Sequence, residues 1–517
     1  MKPELHTAAM KTVSSTQAVE NAIRVLSKEA AGAPRWLITV PNQHDPSLQM
    51  GWNMAPAPGA TGRGKFVHQE LNPATGEKLS EARETAGGDF LYRLHFNLHY
   101  LPVTWGRWLV GFCAMFMLVA IISGVITHKH IFKDFFTFRP GKGQRSWLDA
   151  HSTVAVLALP YHLMVTYTGL VMLMFMYMPG GVQVAYHGNE EAFFAEAFPT
   201  AENKKPADIA APLAPLAPMI EQARAHWNGG EVHRVIINNP GDAHATINIT
   251  RQREVKLSSI RQAMQFDGVT GELIKTSGDV SSKAAESRGV MMGLHLAHFT
   301  DGWFRFLYFL CGLAGYAMVA TGALLWAVKK RNEQAKVLAK GGRLSVGLRL
   351  VEALNIGVIA GLPIAYASYF WANRLLPVGM ETRAEAEVSC FFIAWGVALL
   401  LAQIKPTRRM WQIFLGIGGT MFISLPLLNV FTTGSHLGVT LFQGRGPSAV
   451  AGFDLFTLVF GFALLYAAHH LQKKKRALKT RVKIPSQPVV SPKGHEPVTA
   501  VASAKRTRDD LISGEAT

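Results

Sequence analysis

Cysteine is nearly missing: Cys113, Cys311 and Cys390 are the three in a chain of 517 residues. Each lies within or at the edge of an apolar stretch, which argues against a disulfide framework and against a cysteine zinc motif. Charge is also thin, at 17% of residues against 49% hydrophobic. That balance is too apolar for an ordinary soluble protein of this length. Acidic residues number 35 against 52 basic ones, a formal net charge of +17. A nucleic-acid protein carries its basic residues on a folded polar surface. Here many stand in short runs beside apolar stretches, the positive-inside pattern of a membrane protein. Nucleotide and hydrolase signatures are absent too. No G-x-G-x-x-G follows a strand, and serine-triad, H-E-x-x-H and C-x-x-C patterns are not found. Gly59-Ala-Thr-Gly-Arg-Gly-Lys65 has phosphate-loop spacing, but Phe66 stands where Ser or Thr would hold magnesium. It reads as a flexible loop.

Seven segments are long and apolar enough to span about 30 Å of hydrocarbon as helices. They lie near Gly106–Thr127, Ala150–Met178, Trp303–Val328, Val351–Trp371, Val388–Ile404, Trp411–Phe431 and Gly452–Ala468. Basic loops follow the first span (Lys129, Lys133, Arg139, Lys142, Arg145) and the third (Lys329, Lys330, Arg331, Lys336). Others join the fifth to the sixth (Lys405, Arg408, Arg409) and follow the last (Lys473 to Arg476). These four ends alternate correctly to be cytoplasmic. Residues 1–105 and 179–302 then lie outside. Met1–Ala31 has no apolar core that would export the first of them.

An internal repeat accounts for this gap. Candidate helices Gln17–Glu29 and Ala217–Trp227 each lead into strand-like runs, Arg35–Val40 and Val232–Asn238 with Ala245–Thr250. Similar turn patterns follow, Leu71-Asn-Pro-Ala-Thr-Gly-Glu-Lys-Leu79 and Phe266-Asp-Gly-Val-Thr-Gly-Glu-Leu-Ile274. Each repeat continues with two histidines and a span carrying a late glycine, Gly124 or Gly322. The second unit opens with a span that the first lacks, so a further helix is expected upstream of Met1. The fold class expected is mainly α: a polytopic membrane helix bundle of about seven spans with two small α+β extracytoplasmic domains. Its parts are an external domain (1–100), two spans (101–178), a second external domain (179–300), one span (301–330), a four-helix extension (350–471) and a basic tail (472–517). Residues 179–215, rich in Ala and Pro, read as a mobile lead-in.

Histidine carries the chemistry. An imidazole in or beside a span is expensive without a partner or ligand, and haem iron takes neutral imidazole readily. His151 and His162, eleven positions apart, point within roughly 20° of each other on one straight helix, about 16 Å apart along its axis. Such a helix cannot place both on one iron, so two haems are expected. His95 and His99 are spaced i, i+4, and His295 and His298 i, i+3, so each pair faces one way if helical. Either pair supplies one haem ligand or holds zinc or copper; the alternative is interfacial histidine. His128, at the exit of the first span, is placed to face His151.

Phe90-Leu-Tyr-Arg-Leu-His-Phe-Asn-Leu-His-Tyr100, Trp147-Leu-Asp-Ala-His-Ser152, Gly293-Leu-His295, Thr127-His-Lys129 and Phe135-Phe-Thr-Phe-Arg139 together resemble the PepSY-associated transmembrane proteins, the iron-regulated bacterial inner-membrane family. The two Thr-Gly-Glu units look like the ends of PepSY domains, and the likeness covers about residues 1–330. The resemblance implies haem b and reduction of ferric siderophores at the periplasmic face. It also implies a first helix with a histidine near its cytoplasmic end. On this reading the partners are the bilayer, a ferric siderophore and an electron donor (quinol or a cytoplasmic reductase), with no nucleic acid. The ligand candidates are His95, His99, His128, His151, His162 and His295. The alternative is a membrane-anchored PepSY module that binds a peptide, protease or transporter subunit. A metal permease is disfavoured because acidic residues inside the spans are nearly absent. Single cysteines at Ala185 and Lys475, in a chain otherwise free of cysteine, should react with an impermeant thiol reagent from opposite sides; labelling from one side would refute this topology.

Overall fold

The computed structural model describes residues 13–482, except 43–45, 55–65, 80–82, 129, 131–132, 134, 137–138, 140–143, 198–203, 301, 344 and 445–447. The phosphate-loop look-alike at 59–65 and most of the basic tail lie outside the described residues.

Seven strands form one antiparallel sheet. They are β1 (Arg35–Thr39), β2 (Leu48–Asn53), β3 (Phe66–Leu71), β4 (Val232–Asn238), β5 (Thr246–Arg251), β6 (Ala263–Asp267) and β7 (Leu273–Ser277), in the order β3-β2-β1-β4-β5-β6-β7. The strands of the two repeats thus share a single sheet. The reason is edge pairing. β1 would be an open edge of the first repeat and β4 of the second, and joining them satisfies both rows of backbone groups. Trp36 sits opposite Ile237 and Ile38 opposite Val235. The mirrored order relates the repeats by an approximate two-fold axis through this pair.

Two helices cover the sheet. Helix α1 (Ser15–Glu29) buries Ala18, Val19, Ala22 and Leu26, and Ser14 caps it by accepting from the Gln17 amide at 3.2 Å. A second helix, Leu216–His226, buries Leu216, Met219, Ile220 and Ala223 at the same kind of spacing. Both stripes join Ile38, Ile237 and Phe266 in one core; each fully buried side chain of this kind contributes roughly 1.5–3 kcal/mol. The repeated turns match atom for atom. Asn72 and Asp267 accept from the amides of Ala74 and Val269, Gly76 and Gly271 have φ of 75° and 77°, and Thr75 and Thr270 accept from the amides of Glu77 and Glu272.

Six helices among the described residues are long and apolar enough to cross a membrane: Val103–Thr127, Gly302–Glu333, Val346–Leu375, Arg383–Ile404, Arg408–Thr432 and Ser448–Gln472. Gln144–Leu157 and Leu159–Met172 make a seventh if taken together, but they meet at 62°. The single straight helix expected over Ala150–Met178 is therefore two. Pro160, in the first turn of the second piece, has no N–H to offer the Val156 carbonyl, and its ring clashes with it. The lead-in at 179–215 holds short helices, Pro179–Ala185 and Glu190–Ala197, where the sequence reads as mobile.

For the site, the helices after α1 are α2 (Gly87–Asn97), α3 (Val103–Thr127), α4 (Gln144–Leu157), α5 (Leu159–Met172), α6 (Leu216–His226), α7 (Lys283–Leu296), α8 (Gly302–Glu333), α9 (the span Val346–Leu375, with a π turn at Ile356–Ala360) and α10 (Arg383–Ile404). A buried polar knot ties residues 83–87 to α9 and α10. Arg383 and Glu387 are both fully buried and paired. Arg383 also donates to the carbonyls of Glu84 and Asn373, each at 2.7 Å. Glu387 accepts from Thr85 at 2.6 Å and from Asn373 at 2.8 Å. Glu387→Leu strands the Arg383 charge and should cost about 3–5 kcal/mol. Removing the exposed Arg93–Asp89 pair should change stability by about 1 kcal/mol or less. Thermal unfolding in detergent compares the two, and equal shifts would contradict the buried knot.

Candidate functional site

Helix α8 presents glycine to two histidines. Gly315 and Gly322 are seven positions apart, about two turns, and so share a face. Buried His162, on α5, lies over Gly315: a Cβ there would sit 3.1 Å from its Nε2. His151, on α4, lies over Gly322, where a Cβ would sit 3.6 Å from its Cε1. His295, on α7, lies over Gly169 of α5, with 3.0 Å between such a Cβ and its Cε1. At Gly169 and Gly315 a Cβ would press on the ring, whereas at Gly322 it would meet His151 at ordinary contact distance.

The hydrogen bonds assign the ring protons. His151 Nδ1 is 2.8 Å from Thr321 Oγ1, and His295 Nδ1 is 3.0 Å from Thr168 Oγ1. Each threonine hydroxyl donates its one proton back along its own helix, to Ala317 O at 2.7 Å and to Met164 O at 2.8 Å. Each is then placed to accept from Nδ1–H, the tautomer in which Nε2 carries the lone pair a metal ligand needs; the His295 ring also hydrogen-bonds the Val165 backbone. The device is the same dipeptide twice, Thr168-Gly169 and Thr321-Gly322. Threonine meets Nδ1 in both, and at Gly169 the missing side chain also makes room for the ring. His162 is the opposite case. Its Nε2 lies 3.1 Å from Cys311 O, and since a carbonyl only accepts, that nitrogen carries the proton.

The spaced pairs separate. Helix α2 ends at Asn97 and Leu98 turns with φ 50°, so His99 leaves the helix that carries His95. His99 instead lies 3.8 Å from Glu385 of α10, with Phe90 edge-on at 5.5 Å and Phe392 stacked at 5.8 Å. Likewise α7 ends at Leu296, and left-handed Ala297 sends His298 to Ser259, with Nδ1 2.8 Å from its Oγ. What the fold brings together is one histidine from each repeat: the rings of His95 and His295 are 6.4 Å apart between centres and inclined at 34°. Two imidazoles on opposite sides of one metal ion, at about 2.0–2.1 Å each, place their centres roughly 6 Å apart.

His128 is the exposed C-cap of α3. Near His151, Arg139 grips Asp149 with two donors at 2.9 Å and its own amide at 3.1 Å, anchoring α4 two residues before the histidine. Asp149 stands inside the Trp147–Ser152 motif, whereas spacing along the chain does not single out Thr168 or Thr321. The recurring Thr-Gly beside histidine-bearing helices was the available signal. Among the described residues no group of three or more His, Cys, Asp and Glu could hold a metal ion. The zinc-or-copper alternative therefore has at most two imidazoles to work with.

Residues 1–329 match the protein family described as PepSY-associated TM region. The uncharacterized protein PA4219 of Pseudomonas aeruginosa is 25% identical over 416 residues, which covers 75% of this chain and 96% of its own length. That likeness is longer than the family region, so part of it lies in the four-helix extension.

Thr168→Val and Thr321→Val should each leave a buried Nδ1–H without an acceptor, at a cost of about 1–3 kcal/mol. Nitrogen-15 spectra of labelled imidazoles should show the Nδ1–H tautomer in the parent chain, a mixture in the valine variants and recovery in Thr→Ser. An unchanged tautomer after Thr→Val would contradict the assignment.

Proposed function

Because the chain belongs to the PepSY-associated transmembrane family, we propose that it is a haem-bearing electron-transfer protein of the bacterial inner membrane that reduces ferric chelates, of siderophore type, at the periplasmic face. The observation that supports this most is the His95–His295 pair, one ring from each repeat, at the spacing of two ligands on one iron. The donor set fits a b-type haem. His295 would present Nε2 at a cradle that a Cβ would fill, and the macrocycle would supply the remaining ligands. His151 would offer the same nitrogen for a second haem, with His128 as its candidate partner. When bound, haem carries single electrons from quinol or a cytoplasmic donor toward the chelate. The protein's share is to hold the half-buried imidazoles of His151 and His295 neutral and to orient them through Thr321 and Thr168. Reduction loosens the hold of a hard-oxygen chelator on iron.

A second reading has its own support. Strand β7 is an exposed sheet edge, and a peptide could add to it as a further strand. The chain would then be a membrane-anchored binding module without haem.

Colour separates the two. The purified chain should show a Soret band and a reduced-minus-oxidised b-type spectrum. His295→Ala and His151→Ala should each lower haem per chain and leave different residual spectra. His162→Ala, which removes a ring whose Nε2 is spent on Cys311, should retain haem. A colourless parent chain, or haem unchanged in both of the first two variants, would refute the electron-transfer reading.

A further inference from the structure

A cavity of about 960 Å³ lies where β1, β4 and β5 approach the junction of α7 with α8; His233, Arg253, Arg261, His298 and Arg305 are in its lining. Its charge is one-sided. The carboxylates on its wall are already engaged: Glu231 takes Arg224 at 3.0 Å and Ser15 at 3.1 Å, and Glu254 takes Arg251 and Lys256. Among the described residues no ion pair includes Arg253, Arg261 or Arg305. The Nε of Arg253 and the Nδ1 of His233 are buried with no hydrogen-bond partner.

The groups feel one another. Burial, then Arg253 and Arg234 beside it, push the Arg261 guanidinium down to about 10. Burial, then Arg253, Arg261 and Arg305, push His298 down to about 4, and burial followed by Arg261 pushes His233 down to about 4. Cations held together and partly out of water are costly without a counter-charge. Guanidinium forks match carboxylates in particular, two donors to two oxygens. The volume suits a ligand far larger than phosphate. The place is also telling, because His298 stands three residues beyond His295.

We propose that this cavity binds a soluble anion bearing several carboxylates, with Arg253, Arg261 and Arg305 as its principal contacts. Resting on the electron-transfer reading, the further consequence is that the ferric chelate brought beside His95 and His295 is of the polycarboxylate class rather than a neutral hydroxamate. The anion site itself does not depend on haem.

Calorimetry on the full chain in phosphatidylcholine nanodiscs tests this, with ferric citrate, iron-free citrate and a neutral ferric trihydroxamate as probes. Both citrate probes should bind, more weakly as salt rises, and the hydroxamate should not. Arg253→Gln and Arg261→Gln should each weaken citrate binding by about tenfold, the loss of one charge-assisted pair. Arg93→Gln should leave it unchanged, and the double Arg→Lys variant should keep part of it. Thermal unfolding confirms that each variant is folded. Equal affinity for all three probes, or no effect of the glutamine variants, would overturn the proposal. So would loss of citrate binding when phosphatidylglycerol replaces part of the neutral lipid, which would make a lipid headgroup the occupant. Citrate binding by a chain that takes up no haem would keep the site and remove only its link to electron transfer. A haem-loaded chain that ignores citrate would do the reverse.

Discussion

The structure turns on imidazole rings packed directly onto the backbone of a facing helix. A neutral ring inside a helix bundle needs both space and a hydrogen-bond partner. Gly169 and Gly315 supply the space for His295 and His162, and Thr168 and Thr321 supply the partner for His295 and His151, on α5 and α8. Helix α5 thus serves twice: it carries His162 toward α8 and receives His295 from α7. Its direction follows from the bend at Pro160, which frees α5 from the line of α4. Without that bend, His151 and His162 would share one face of one helix.

The sheet unit delivers the His95–His295 ring pair. Each repeat ends its strands in a helix, α2 or α7, that carries a histidine, and the shared β1–β4 pairing holds the two repeats in fixed register. His95 and His295 meet because the repeats are joined as one sheet. Two independent domains would leave that distance to chance. The cationic cavity lies on the same unit, at the far end of α7.

The four-helix extension has a structural part in this. Residues 83–87 are locked to α9 and α10 by the Arg383–Glu387 knot, and Tyr369 donates to the Gly87 carbonyl at 2.8 Å at the start of α2. Helix α2 is thereby held from both sides, by the extension at one end and by its turn into α3 at the other. At that turn Gly106 lies so close to Asn97 O that a Cβ would sit 1.8 Å from it. His99 is drawn to Glu385 by the same contact surface.

The sequence by itself determined the membrane class, six of the spans to within a few residues, and the internal repeat with its Thr-Gly turns. Those properties are local. Apolar length sets a span, and hairpin chemistry is written in Asn72, Asp267 and the glycines that follow them. Pairing was decided only in three dimensions. Regular spacing put His99 with His95 and His298 with His295, but helix ends at Asn97 and Leu296 part them. Edge pairing joined the strands of the two repeats in one sheet, and Pro160 divided one expected helix into two. Tautomers, the counter-charge missing from Arg253 and Arg261, and the buried Arg383–Glu387 knot all depend on residues up to about three hundred positions apart. No window along the chain contains them, because the free energy that sets them comes from packing and desolvation between segments.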